Sequence, residues 1–271
     1  MRSLITGLGT LIVVLVLAGP AAAEPAWAPA ATAPVHPGVN TDTEGGSCTS
    51  NFIFYDASNN VYIGQAAHCS STGAATDTDG CDSASLPEGT PVTVDGASQP
   101  GTMVYNSWIR MQSRGETDAD TCAYNDLALV KLAPADASKV NPSIPFWGGP
   151  VGLSTGVEAQ ETVLSYGNSI LRQGISALSP KQGVQISATD GSGWNHPVFT
   201  VSPGIPGDSG SAFLDSEGAA MGVLSTLQIA PLAGSNGVGD VVKGLAYLKT
   251  FPEFASIQLA NGTEPFRGPL V

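Results

Sequence analysis

Three short segments of the chain carry residue types that together perform acyl transfer. His68 follows an apolar run, Asp126 stands directly ahead of another, and Ser209 lies within a Gly-Asp-Ser-Gly stretch. A serine hydroxyl is a weak nucleophile at neutral pH and needs an adjacent base. A neutral imidazole is suited to that task, and an anion on its other nitrogen fixes the tautomer and stabilises the imidazolium. The segments therefore offer a candidate nucleophile, a candidate base and a candidate orienting acid.

Glycines beside the serine meet a fourth requirement of this chemistry. Gly207 and Gly210 let the backbone turn sharply around Ser209 and aim N–H groups at an oxyanion as it develops. Each segment alone has a simpler interpretation. A lone histidine is more often structural, an acid before a strand is usually a turn residue, and Gly-Asp-Ser-Gly forms a turn readily. Only their joint occurrence favours a catalytic site.

Short strands must position these residues. The 33 glycines and 20 prolines among 271 residues favour strands joined by tight turns over long helices. Residues 51–55 and 61–63 flank a turn and predict a hairpin, and only residues 240–250 read as a helix, with Asp240 as N-cap. We therefore predict an all-β architecture. The further strand candidates are 91–94, 101–111, 127–132, 162–167, 183–188, 197–202, 211–214 and 219–227.

The start of the chain predicts secretion. Arg2 precedes an apolar run of about 14 residues, and an Ala-Ala-Ala stretch then offers a cleavage site. This is the layout of a signal peptide over residues 1–23. A membrane anchor is the alternative, but the run is short for a bilayer span. We therefore expect the protein to be extracellular.

Composition divides the remainder of the chain into three parts. In residues 24–46, Pro is interspersed with Ala and no hydrophobic periodicity occurs. We interpret this segment as a leader or propeptide. A Pro-rich joint near 134–150 then separates an N-terminal unit, residues 47–135, from a C-terminal unit, residues 136–271, which contains the predicted helix.

Cys48, Cys69, Cys81 and Cys122 form an even set in a chain predicted to be secreted. Four cysteines allow three pairings, and the residues alone do not choose among them. A structural zinc site needs closely paired ligands such as Cys-x-x-Cys, whereas the spacings here are 21, 12 and 41 residues. We therefore predict two disulfides.

The three catalytic segments resemble those of the chymotrypsin-like (trypsin-like) serine proteases. They read Gln-Ala-Ala-His-Cys, Asn-Asp-Leu-Ala-Leu-Val-Lys-Leu and Gly-Asp-Ser-Gly-Ser, in that order. The order His, Asp, Ser differs from that of subtilisins and of α/β-hydrolases. The resemblance extends from about residue 45 to residue 255, and the small, acidic chain is most similar to secreted bacterial, actinobacterial-type members.

The resemblance implies a fold and a set of roles. The fold would be two packed, antiparallel six-stranded β-barrels with a short C-terminal helix, and the active site would lie in the cleft between them. His68 would be the general base, Asp126 the orienting acid and Ser209 the nucleophile. The N–H groups of Gly207 and Ser209 would form the oxyanion hole. The protein would be an endopeptidase that acts on polypeptides.

The resemblance also implies disulfides and a substrate pocket. Cys48 and Cys69 flank the histidine segment as the histidine-loop bridge of the family does, which leaves Cys81 and Cys122 as the second pair. The residues expected to contact the substrate are Pro203, Ser225, Thr226 and Leu227.

Two departures from the family pattern change the expectations. No Ile-Val-Gly-Gly sequence occurs near residue 45, so the N-terminal ammonium that usually pairs with the acid before the nucleophile has no counterpart. Asp208 is that acid here, and a buried carboxylate needs a cation. The candidate partners are Arg110, Arg114 and Arg172.

The second departure concerns specificity. Pro203 stands where trypsins carry an acid, and the neighbouring wall residues are uncharged. A buried cation without a counter-ion forfeits hydration, so cleavage after Arg or Lys is not expected. We expect an apolar pocket, narrowed by Leu227, that suits small or medium apolar residues. His196 is expected in a surface loop.

Charge excludes other classes of function. The net charge is −13, and ten Lys and Arg face 23 Asp and Glu without a basic cluster. Nucleic-acid binding needs a positive surface and anionic membranes attract one, so neither partner is expected. No metal or cofactor is implied, and we expect a monomer. Two alternatives remain, a non-catalytic binding module on a protease scaffold and a secreted serine esterase.

Overall fold

The computed structural model describes residues 24–44, 46–74, 76–187, 192–228 and 232–270. The predicted signal peptide, residues 1–23, lies outside them. Short strands dominate the described residues because turn-forming residues interrupt the apolar runs every few positions. Within these ranges no helix has both the length and the apolar character needed to cross a membrane.

The strands follow one another along the chain with few helices between them. They are β1 (Asn40–Thr43), β2 (Gly46–Thr49), β3 (Ile53–Tyr55), β4 (Val61–Gln65), β5 (Pro91–Val94), β6 (Gly101–Asn106), β7 (Ala128–Lys131), β8 (Thr162–Tyr166), β9 (Pro180–Gln185), β10 (Asn195–Thr200), β11 (Ala212–Leu214), β12 (Ala220–Gln228), β13 (Ser235–Asp240) and β14 (Gln258–Leu259). The helices are α1 (Ser107–Arg114), α2 (Ala119–Tyr124) and α3 (Val241–Leu248), and 3₁₀ turns occur at Ala67–Ser70, Ala137–Lys139, Ile170–Arg172, Ser176–Leu178 and Pro252–Phe254.

The strands form two antiparallel sheets, which confirms the all-β prediction. The second half of the chain closes into a six-stranded barrel with the order β10-β13-β12-β11-β8-β9, closed by the pairing of β9 with β10. The first half, together with β14 from the end of the chain, forms an eight-stranded sheet with the order β14-β3-β4-β7-β6-β5-β1-β2. This first sheet therefore has two more strands than the six expected, and its end strands β14 and β2 do not pair with each other.

A shared core joins the two halves. Tyr105 and Leu129 from the first sheet pack with Leu214 and Val223 from the barrel, and Leu245 of α3 belongs to the same buried cluster. Burial of apolar surface is the main favourable contribution to packing, so the cleft between the halves rests on a common base.

Residues 101–111 do not form a single strand, and α3 is not the only helix. Strand β6 ends at Asn106, whose side chain accepts the N–H groups of Trp108 and Ile109 and so caps α1. Gly115 ends the helix in a left-handed conformation with φ of 63°. Helix α1 was not predicted because residues that favour β-strands continue across the cap. Asp118 caps the short helix α2 in the same manner.

Residues 24–44 belong to the first sheet. Strand β1 pairs with β2 and with β5. Val35 and Val39 are buried in the core of the sheet, and the ring of Trp27 packs edge-on against Tyr55. The structural unit therefore begins well before residue 47, and a maturation cleavage in this segment stays a prediction.

The end of the chain also returns to the first sheet. Strand β14 pairs with β3, and the Ala260 N–H donates to the Ile53 carbonyl at 2.9 Å. Part of the predicted C-terminal unit thus completes the N-terminal sheet.

Candidate active site

The end of β4 and a following 3₁₀ turn position His68. Ala66 and Ala67 are completely buried and anchor the turn in the core. The side chain of His68 is 23% exposed. Cys69 is bonded to Cys48 of β2, and Cys81 is bonded to Cys122 of α2. Both bridges match the pairing that the resemblance implies, and the first ties the histidine turn to the edge of the sheet.

Asp126 lies between α2 and β7, with only 2% of its side chain exposed. Its Oδ2 accepts a hydrogen bond from His68 Nδ1 at 2.7 Å, and its Oδ1 accepts the backbone N–H of His68 at 2.9 Å. Ser225 Oγ donates to the same Oδ2 at 2.5 Å. Burial opposes the charge, but the contacts with His68 and Ser225 hold the pKa of Asp126 below its usual value. The carboxylate is therefore ionised and faces the imidazole.

The carboxylate acts in turn on the base. Burial disfavours a charged His68, but the adjacent Asp126 outweighs this effect and raises the pKa of the imidazole. A general base must be neutral to accept a proton, so the form of His68 that this predicted role needs is lost as pH falls through the raised pKa.

We therefore expect kcat/KM to decline on the acid side from above pH ~6.5, the ordinary imidazole value. The measurement is kcat/KM between pH 5 and pH 9 with an uncharged peptide substrate. A titration of the free enzyme entirely below pH ~6 would contradict the raised pKa.

Ser209 precedes β11 and is held against the first sheet. Its carbonyl accepts the Thr49 N–H at 2.9 Å, and the following Gly210 carbonyl accepts from Asn51 Nδ2 at 3.0 Å. A Cβ on Gly210 would lie 2.6 Å from the Thr49 carbonyl oxygen, so this close approach requires glycine. His68 and Ser209 line one cleft of about 870 Å³ between the two halves. Within the described residues no hydrogen bond joins the two side chains, and such bonds often tighten only when substrate binds.

The peptide groups around the serine have fixed orientations. The Pro206 carbonyl accepts from Ser169 Oγ, and the Asp208 carbonyl accepts the Ser211 N–H at 3.0 Å. In a trans peptide the N–H points opposite to the carbonyl, so these contacts also fix the N–H groups of Gly207 and Ser209. Neither N–H donates to an acceptor among the described residues. Both residues line the cleft, where these donors can meet an oxyanion.

Asp208 is completely buried and pairs with two cations. Arg172 Nη2 lies 2.5 Å and Lys181 Nζ 3.0 Å from Asp208 Oδ2. The backbone N–H groups of Ile205 and Ser169 donate to the same carboxylate. Burial opposes ionisation, but these partners keep the pKa of Asp208 below its usual value.

Only one of the three arginines expected to serve Asp208 reaches it. Arg172 does, while Arg110 pairs with Glu88 and Glu253 at the surface. Arg114 bonds to Thr250. The second cation, Lys181, was not among the candidates expected from the sequence.

Three of the four residues expected to contact the substrate line the cleft. They are Ser225, Thr226 and Leu227, but Leu227 is 62% exposed and lies at the surface of the cleft. Pro203 is exposed and does not line the cleft. Asn236, which sequence reasoning missed, stands between the walls.

Asn236 connects the two walls of the pocket by hydrogen bonds. Its Oδ1 accepts the Gly204 N–H at 2.9 Å, and its Nδ2 donates to the Thr226 carbonyl at 3.2 Å. The side chain is almost completely buried and lines the cleft. It therefore restricts the pocket more directly than the exposed Leu227.

His196 is not in a surface loop. It lies in β10 with 2% of its side chain exposed, and its ring nitrogens contact Gln185 Oε1 and Asp240 Oδ2, each at 2.9 Å. The apolar residues that follow it made this segment a strand, and pairing of β10 with β9 and β13 buried it. Asp240 caps α3 by accepting the Lys243 N–H, as predicted.

Comparison with known proteins shows the fold. Neither the protein-family models nor the curated proteins give a match. Among solved structures, Thermobifida fusca Protease A aligns with a TM-score of 0.54 and 16% identity, over 84% of this chain and 99% of that one. The Nocardiopsis protease NAPase aligns with a TM-score of 0.51 and 17% identity, over 83% of this chain and 98% of that one. A glutamic acid specific serine protease aligns with a TM-score of 0.52 and 15% identity, over 83% of this chain and 100% of that one. The chymotrypsin-like fold that the motifs predicted is therefore confirmed.

Proposed function

We propose that the chain is a secreted serine endopeptidase that hydrolyses peptide bonds through an acyl-enzyme on Ser209. The observation that carries the proposal is the bonded pair of His68 and Asp126 in the same cleft as Ser209. The solved proteases with this fold support the same reaction class.

Each group has one task in the reaction. Ser209 Oγ attacks the carbonyl carbon of the substrate while His68 Nε2 takes the hydroxyl proton. The N–H groups of Gly207 and Ser209 stabilise the oxyanion, and Asp126 stabilises the imidazolium. The imidazolium returns the proton to the leaving amine as the C–N bond breaks. Water then attacks the ester by the same route and releases the acid.

Secretion agrees with two further observations. The protein has two disulfides, and disulfides form and persist mainly in oxidising compartments. The sequence also begins with the layout of a signal peptide. Since neither the pairing of Asp208 nor the site needs a free N-terminus, the proposal includes activity without an N-terminal activation cleavage.

A fluorophosphonate probe tests the mechanism. We expect stoichiometric labelling of the folded protein, with the added mass on the peptide that contains Ser209, because only an activated serine attacks this reagent. Heat-denatured protein is the control and should not be labelled. Peptide binding without labelling would identify a binding module instead. Labelling with cleavage of esters but of no peptide would identify an esterase.

The pocket walls favour uncharged residues before the scissile bond. The described wall residues at 204–207, 224–228 and 236 include neither an acid nor a base. Asp240, the one acid that could have served a cationic substrate, is occupied by His196 and by the cap of α3. The glutamic acid specific protease with this fold uses a histidine triad in substrate binding. Among the described wall residues here there is no histidine.

We therefore expect kcat/KM for Ala or Leu before the scissile bond to exceed that for Arg, Lys or Glu by at least about tenfold. Asn236 between the walls should also disfavour Phe. The measurement uses chromogenic peptides that differ only at this residue. A value for Arg about tenfold above those for Ala, Leu and Phe would contradict the prediction and would mean that an acid reaches the pocket.

A further inference from the structure

Lys181 is a completely buried cation that the reaction scheme does not use. It lies on β9, and its side chain has no exposed surface. Its Nζ lies 3.0 Å from Asp208 Oδ2 and donates to the carbonyls of Ser202 and Pro203, each at 3.3 Å. Removing an ammonium from water is costly, so a lysine in this position needs such partners.

Neutralising Asp208 does not require this lysine. Arg172 already supplies the counter-ion, and two backbone N–H groups complete the contacts of the carboxylate. With Lys181 the cluster holds two cations for one anion. The lysine must therefore contribute something besides charge balance.

The contacts of Lys181 define that contribution. They meet both ends of one loop, residues 202–208, since Ser202 and Pro203 begin it and Asp208 ends it. This loop contains Gly207 and leads directly into Ser209. The contacts are close-packed, because a Cβ on Gly167 would lie 2.4 Å from Asp208 Oδ1 and 2.8 Å from Lys181 Cε.

We propose that Lys181 is a positioning residue that ties the ends of the 202–208 loop together and thereby holds the N–H groups of Gly207 and Ser209 in place for the oxyanion. The inference rests on the proposed peptidase function and adds a residue to it. Arg172 also reaches both ends of the loop, through Ser202 Oγ at 3.3 Å, the Pro203 carbonyl at 3.4 Å and Asp208 Oδ2. Lys181 differs in that it donates to the backbone carbonyls of both Ser202 and Pro203.

If Lys181 has this role, kcat should fall at alkaline pH. The charged groups that face Lys181 are Asp208 on the loop and Arg172 on the 3₁₀ turn that precedes β9. Burial lowers the pKa of Lys181, Asp208 opposes the shift and Arg172 adds to it. Loss of the lysine proton at high pH would weaken the tie, while the guanidinium of Arg172 remains beside Asp208.

The test compares Lys181→Met and Lys181→Arg in the full secreted chain. Loss of one oxyanion donor costs about 10²–10³ in kcat, so a displaced donor should cost less, and we expect about a tenfold lower kcat for Lys181→Met with KM nearly unchanged. Lys181→Arg should keep kcat within about threefold, because arginine retains the charge. The kcat of the wild type should fall at high pH towards the Lys181→Met level, and that of Lys181→Arg should stay flat.

Lys139→Met is the matched control, since Lys139 pairs with the buried Asp136 outside the cleft. It should lower the unfolding temperature without changing kcat. A folded Lys181→Met with more than half of the wild-type kcat would overturn the inference. An alkaline decline that is the same in Lys181→Arg would also overturn it, and this second test holds where Lys181→Met does not fold. An active wild type with unaffected variants removes this inference alone, whereas a wild type without turnover removes the proposed function as well.

Discussion

Ser209→Ala should lower kcat by about 10⁴–10⁶ while the protein remains folded and secreted. The substitution removes the only atom proposed to bond to the substrate and leaves the backbone that carries the oxyanion donors. Folding should be unaffected, because Ser209 contributes its carbonyl rather than its hydroxyl to the contact with Thr49. The residual rate would reflect the N–H groups of Gly207 and Ser209 acting without a covalent step. His68→Ala should cost about as much, because nucleophile and base act as a unit.

The measurement is kcat on a peptide substrate, together with the unfolding temperature. Ser58→Ala is a suitable control, since Ser58 is exposed in the turn between β3 and β4. Retention of more than a tenth of the wild-type turnover by Ser209→Ala would refute the assigned mechanism.

The second large effect belongs to Asp126→Asn, which should lower kcat by about 10³–10⁴ at neutral pH. An amide has the right shape but can present an N–H to His68 Nδ1, which stabilises the wrong tautomer of the ring. It also removes the charge that raises the pKa of His68, so the acid side of the pH profile should move to lower pH. The contacts of Ser225 Oγ and of the His68 N–H should persist and keep the residue in place.

Activity and pH profile must change together for this assignment to hold. Asp215→Asn is the matched control, because Asp215 is also buried but accepts backbone N–H groups in a hairpin turn of the barrel. That variant should lose stability and keep its kcat. Unchanged turnover in Asp126→Asn, or a lower turnover with an unshifted profile, would show that the carboxylate does not act through the imidazole.

The candidate site was predictable from residues with characteristic neighbours in the sequence. His68 beside Cys69, Asp126 before an apolar strand and Ser209 between glycines are local patterns. The structure joins Asp126 to His68 by a hydrogen bond, and His68 and Ser209 line one cleft. Arg172 was predictable only as one of three candidates, because the need for a cation at Asp208 is local but its source, 36 residues away in sequence, is not.

Other features depended on tertiary contacts that no local pattern reveals. Asn236 lies opposite Leu227 through the pairing of β12 with β13, which has a register shift between Leu224 and Thr226. The sequence around Lys181 gives no sign that it is buried. Its burial follows from the position of β9 in the closed barrel. The helix α1 was different, since Asn106 and Gly115 are recognisable capping residues and could have marked it.

Strand β14 gives the end of the chain a mechanical role. The peptide passes from the first sheet into the barrel through the stretch before β8, and it passes back after α3 to pair Gln258 and Leu259 with β3. Strand β14 therefore gives the chain a second connection between the barrel and the first sheet. A second connection between two halves that already share a core limits further the ways in which one half can move against the other. It adds to the shared core in restricting movement of one half past the other, and His68 and Ser209 line the cleft between those halves.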